Sequence, residues 1–163
     1  ACGAPVWLQL SARKLVNDRN TPIAERLIEL WLRSLLAGTC GRALPCHVVS
    51  LGATLHIEPM PIDAAEATLN TVLQAWHEGM DSPLPLACAT ALALLAGASD
   101  VAATYEGGFN RRGEVEDMAL ARLFPDFEAL TADGRFPALA ERVYGPLLRW
   151  SRDNVSVQRH EAA

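Results

Sequence analysis

At 163 residues, half of them apolar and a fifth charged, the chain has material for one domain with a core of its own and too little for two. A net charge of −5, with thirteen arginines and a single lysine (Lys14), gives no long-range attraction for phosphate backbones and argues against nucleic-acid binding by this chain alone. The longest apolar run, Leu84 to Ala98, is broken by Pro85, Thr90 and Gly97 and falls short of the roughly 18 residues of a membrane span. No charged segment followed by an apolar stretch and cleavage site marks a secretion signal. Cys2, Cys40, Cys46 and Cys88 lack CxxC spacing and read as reduced thiols.

In chain order, Val6 to Leu10 alternates weakly and predicts a strand, with Trp7 as a core anchor. Asn17 to Asn20 is a polar break. Thr21-Pro22 then reads as an N-cap followed by proline at the first helical position. Ile23, Leu27, Leu30, Trp31 and Leu35 follow at helical spacing, Gly38 closes the helix, and Glu29–Arg33 forms an i,i+4 pair. His47 to Leu51 and Thr54 to Glu58 flank Gly52-Ala53, which predicts a hairpin on a type II′ turn because glycine comes first. That register sets Ser50 against Leu55 and Val48 against Ile57 on an inward face, and His47 against Glu58 and Val49 against His56 on the other.

Asp63 with Glu66 opens a helix in the manner of a capping box. Leu69, Val72, Leu73 and Trp76 share one of its faces, and Gly79 stops it. Pro83 and Pro85 mark an extended stretch, a candidate edge strand. Short helices follow over Thr90 to Ala96, from a Ser99 cap to Glu106, over Val115 to Leu123 and over Asp126 to Leu130. Gly107-Gly108 to Gly113 is a loop and Asp133-Gly134 a turn. Pro137 opens a final helix through Tyr144, which Pro146 bends or interrupts. Trp31, Trp76, Phe124, Phe127 and Tyr144 are core candidates. The expected fold class is α+β, a small sheet flanked by helices with a mostly helical C-terminal half. Its domain runs over residues 1–152, with a frayed polar tail at 153–163.

Three sets of residues lie outside generic patterning. Leu84-Pro85-Leu86 precedes a run from Tyr105 to Phe127 holding Tyr-Glu-Gly-Gly-Phe, Gly113-Glu114 and Ala121-Arg-Leu-Phe-Pro-Asp-Phe127. Glu141-Arg-Val-Tyr-Gly-Pro-Leu147 follows it. Together these resemble the C-terminal region of the gamma subunit of exodeoxyribonuclease V, the RecC chain of RecBCD. The resemblance is fullest over Ala75 to Leu148 and looser from Leu8 to Gly79. It implies a cytoplasmic complex with RecB and RecD homologues that unwinds and degrades duplex DNA ends in recombinational repair. It implies no cofactor in this chain, ATP and Mg²⁺ being used by the partners, and DNA met through the complex. It also implies a restriction-endonuclease-like, PD-(D/E)XK-type sheet without an active site.

The helix–strand–strand–helix order suits that fold, and the residues test the missing site. Such nucleases need an acid on one strand and Glu/Asp-x-Lys on the next, so that carboxylates hold Mg²⁺ and lysine positions the nucleophile. Here the second strand ends in Glu58-Pro59-Met60, the first offers His47 and Ser50, and Lys14 lies far upstream. No catalytic residue is therefore assigned. The rival reading is a metal-dependent nuclease with a displaced site, using Glu58 and a helical carboxylate such as Glu66. A stand-alone helical adaptor is a third.

His47, His56 and Glu58 are a weak metal-ligand set, against the commoner reading of solvent-side polar residues. His77 suits the C-terminal end of its helix. Phe109, with Arg111 and Arg112 after it in a glycine-bounded loop, has the composition of a protein contact site. Its alternative is a loop residue folded back onto the domain.

Overall fold

The computed structural model describes residues 5–109 and 111–160. The chain forms two compact units, Ala1–Asn70 with Leu147–Ala163, and Thr71–Pro146. Four strands, β1 (Trp7–Leu10), β2 (Cys46–Ser50), β3 (Ala53–Ile57) and β4 (Val155–Arg159), make one sheet in that order, all of it in the first unit. Strand β1 runs parallel to β2, whereas β2–β3 and β3–β4 are antiparallel. A parallel neighbour needs a crossover, and α1 (Ile28–Thr39) supplies it. The α+β class and the small sheet stand as the sequence predicts.

Helix α1 differs at both ends from its sequence signals. Pro22 pairs with Val16 in an isolated antiparallel bridge, and Asn17 Oδ1 accepts the Thr21 N–H at 2.9 Å. The chain enters the helix later, through a 3₁₀ turn at Ala24–Leu27. At the far end α1 runs past Gly38. Gly41 N–H donates to Gly38 C=O and Arg42 N–H to Ala37 C=O, the paired bonds of a Schellman stop. Gly38 is a packing position instead: a Cβ there would lie 2.7 Å from Ala65 Cβ. The Glu29–Arg33 pair forms at 2.6 Å, and Arg33 also reaches Gln9 on β1 at 3.1 Å.

The hairpin exists, but its turn is Leu51-Gly52. Ser50 pairs with Ala53, Val48 with Leu55 and His47 with His56. A type II′ turn needs positive φ at its first residue. Here positive φ (+80°) falls on Gly52 as the second residue, which moves the register by two positions. A shift of two keeps each side chain on its face. Val48, Ser50, Leu55 and Ile57 are accordingly buried, and Leu27, Leu30, Trp31 and Leu35 are among the other buried apolar residues of this unit.

Two expectations fail at the sheet edges. Val155–Arg159 is a paired strand where the sequence suggests fraying, because Val155 and Val157 alternate with Ser156 and Gln158 and pair with Ile57 and Leu55. Its end is tied down by Arg159, which donates to Asn20 Oδ1 at 3.0 Å and to the Asp18 carbonyl. Trp7 sits on the open edge of β1 and is 42% exposed, so it is no core anchor.

The second unit is helical. It holds the C-terminal part of α2 (Ile62–Asp81), then α3 (Cys88–Leu95), α4 (Ala102–Glu106), α5 (Met118–Leu123), α6 (Phe127–Thr131) and the first half of α7 (Phe136–Asp153). The segment around Pro83 and Pro85 is not a strand. Asp100, rather than Ser99, accepts the Ala103 N–H of α4 at 2.9 Å. Asp117 and Asp126 cap α5 and α6. Helix α7 continues through Pro146 without a break. The proline removes one backbone donor and leaves the Arg142 carbonyl without its i+4 partner, yet flanking turns hold the helix. The core here gathers Ala87, Ala91, Tyr105, Leu130, Phe136 and Ala140, with Phe124, Phe127 and Tyr144 packed against it. Tyr105 donates its hydroxyl to the Phe124 carbonyl at 2.6 Å. Burial raises the pKa of both tyrosines above the ordinary phenol value, most for Tyr144, where Cys88 and Glu114 add to it.

Candidate functional site

The run from Tyr105 to Phe127 is a clamp. Gly107 and Gly113 cross backbone to backbone: a Cβ on Gly107 would meet Gly113 N at 2.6 Å, and one on Gly113 would meet Gly107 N at 2.5 Å. Glu114 then reaches the start of α3. Its carboxylate accepts Ala89 N–H at 2.8 Å, Thr90 N–H at 2.6 Å and the buried Thr90 hydroxyl at 2.7 Å. The helix has no cap of its own, since Ala87 occupies that position, so Glu114 satisfies donors that would otherwise be orphaned.

The clamp closes a tight turn. Gly108 and Arg111 exchange both backbone bonds, at 2.9 and 3.2 Å. Phe109 stands at its tip with a relative exposure of 103%. It does not fold back onto the domain. Arg111 is turned inward and donates to Thr104 Oγ1 at 3.0 Å, while Arg112 pairs with Glu116 at 3.3 Å in solvent. Of the three residues singled out by sequence, Phe109 alone is offered outward without a partner of its own.

On the outer face of the hairpin His47 and His56 are directly opposite, their rings edge to face with centroids 4.5 Å apart. His56 Nε2 lies 3.1 Å from Gln158 Oε1 on β4, and His160 Nε2, just past the end of β4, lies 2.9 Å from Thr54 Oγ1 on β3. Glu58 does not join them. It follows the end of β3, its N–H donates to the Asn154 carbonyl, and it lines a cleft beside α1 with Arg33, Cys46 and Met60. Burial raises the Cys46 thiol above its ordinary pKa, against the opposing pull of Arg33. Among the described residues no group of three or more His, Cys, Asp or Glu is arranged to hold a metal ion, and no helix is long and apolar enough to cross a membrane.

The sequence missed an exposed surface. Of the face of α2 that the spacing gathers, Leu69 and Val72 are half-buried, whereas Leu73 is 44% exposed and Trp76 58%, and Met80 beyond them is 70% exposed. Only Ala65 and Ala75 of the 20-residue helix are buried. Trp76, a core candidate by spacing, is therefore a surface aromatic, with its ring 5.0 Å from that of His77. Helical spacing shows that apolar residues share a face and does not show what that face meets.

A mixed four-stranded sheet with histidines on its outer hairpin face and a helical unit with exposed aromatics make this an α+β chain, and among the described residues no group of His, Cys, Asp and Glu is arranged to hold a metal ion. The chain belongs to the RecC C-terminal domain family, whose model matches residues 6–99. Membership points to a subunit domain of a RecBCD-type complex. The matched span holds β1, α1, the hairpin, α2 and α3, while the Tyr105–Phe127 run lies beyond it. No curated protein matches the chain.

Proposed function

We propose that the chain is a non-catalytic scaffold and subunit-contact domain of a RecBCD-type exodeoxyribonuclease V, working in the cytoplasm with RecB and RecD homologues. The observation that carries this reading is the family match across β1 and the β2–β3 hairpin, combined with what the hairpin bears. Where a PD-(D/E)XK nuclease places Glu/Asp-x-Lys, this chain has Glu58-Pro59-Met60, and its two outer-face partners are histidines. We read the α1–β2–β3–α2 order as a restriction-endonuclease-like core whose cutting residues are absent. Unwinding and cleavage then belong to the partners, with their ATP and Mg²⁺, and DNA ends reach this domain only through the complex. The net charge of −5 supports little or no DNA binding alone. Phe109, held out by the glycine clamp, is the first contact residue on this reading, with Arg111 and Arg112 shaping its turn.

Incubating the purified chain with linear duplex DNA and Mg²⁺ or Mn²⁺ tests the reading. The expected result is no degradation above a metal-free control. Degradation that disappears in Glu58→Gln or Glu66→Gln would overturn it in favour of a nuclease with a displaced site.

A further inference from the structure

The exposed face of α2 has a more definite character than a stray apolar patch. Ile62, Leu69, Leu73, Trp76 and Met80 follow one another at intervals of seven, four, three and four residues, so they form a single stripe with coiled-coil spacing. Four of the five are substantially exposed, and Leu69 is half-buried. The positions that immediately follow the stripe residues are Asp63, Asn70, Gln74, His77 and Asp81, which places a polar flank along one side. Glu66, one turn beyond Ile62, adds a third carboxylate.

Helix α2 contains no lysine or arginine. Among the described residues Asp63, Glu66 and Asp81 form no ion pair, and only Glu78 is neutralised, by Arg142. That arginine's hydrogen bond holds the Glu78 carboxyl below its ordinary pKa.

We infer that this face of α2 receives a basic amphipathic helix of a partner subunit. Apolar side chains at every third or fourth position on the partner would fill the stripe, with Lys or Arg alongside meeting Asp63, Glu66 and Asp81. An aromatic within such a stripe, as Trp76 is between Leu73 and Met80, supplies the large desolvated contact on which interfaces depend. A second copy of this chain is a poor occupant, because two α2 faces would set acid against acid around the same stripe. The inference rests on the subunit-contact reading and specifies one surface and the chemistry of what it binds.

The test uses this chain assembled with RecB- and RecD-type partners. Amide exchange over residues 62–81 is compared between free chain and assembly, and assembly affinity is measured for Trp76→Ala and for the triple variant Asp63→Lys, Glu66→Lys, Asp81→Lys. All four positions are exposed, and far-UV circular dichroism checks that the variants fold. The expected result is at least tenfold slower exchange along α2 in the assembly, and at least tenfold weaker assembly for each variant. Added salt should shrink the defect of the triple variant and leave that of Trp76→Ala. If the assembly forms but α2 exchanges as in the free chain and the variants bind normally, this inference fails and the subunit reading stands. Protection by a second copy, or charge reversal that tightens assembly, also overturns it. A chain that joins neither partner defeats the subunit reading and this inference together.

Discussion

Gly113→Ala should destabilise the fold by about 3 kcal/mol, a large loss for a single added methyl group. Gly113 has φ −87° and ψ 156°, values alanine adopts without strain, so backbone preference contributes little to the loss. The effect comes from space. The added Cβ would sit 2.5 Å from Gly107 N and closer still to Tyr105 O and the Glu106 carbonyl carbon. These are backbone atoms and cannot move aside as a side chain can. Relief requires the Gly107–Gly113 crossing to open, which pulls Glu114 away from α3. Gly97 supplies a contrast, with φ +71° and nothing within 4 Å of a built Cβ, so Gly97→Ala should cost only about 1 kcal/mol. Urea unfolding of the three proteins measures both values from the shift in midpoint.

Glu114→Ala has the second largest expected effect, about 2–3 kcal/mol. The lost carboxylate leaves two N–H groups unsatisfied at the start of α3 and strands the hydroxyl of Thr90, which is fully buried. Bonds to a charged acceptor contribute about 1.5–3 kcal/mol, and an unpaired buried donor costs a similar amount. Glu114→Gln retains one carbonyl acceptor and should lose roughly half as much. Because Gly113 and Glu114 secure the same loop, the double variant should lose less than the sum of the singles. The same unfolding series measures that coupling. Loss of the clamp should also free the Phe109 turn, whose amide exchange reports it.

Local signals in this sequence were legible, and distant partnerships were not. The short helix expected from Asp126 to Leu130 forms within a residue of that span, with Asp126 as its cap, and the apolar side of the hairpin is correct residue by residue. The hairpin register slipped by two because a glycine serves either position of a two-residue turn, and sequence alone did not select between them. Alternation along the strands sets His47 and His56 on one face, but their direct opposition depends on that register. Strand β4 escaped notice because its pairing residues on β3 lie a hundred positions away. Glu114 reads as one of several acids in a mixed-charge loop, and its role exists only once α3 is beside it. Size and apolarity alone favour a core position for Trp7 and Trp76, yet they are 42% and 58% exposed. Their exposure is a property of the surface, which periodicity does not encode.

The central claim is that this chain contributes contact rather than cleavage. Mixing it with RecB- and RecD-type subunits and measuring the mass of the product by light scattering after size exclusion tests that claim most directly. The expected result is a stable complex whose DNA degradation is unchanged when His47, His56 and Glu58 are all replaced by alanine. A chain that remains unbound, or a fully assembled complex that loses degradation with those replacements, would contradict it.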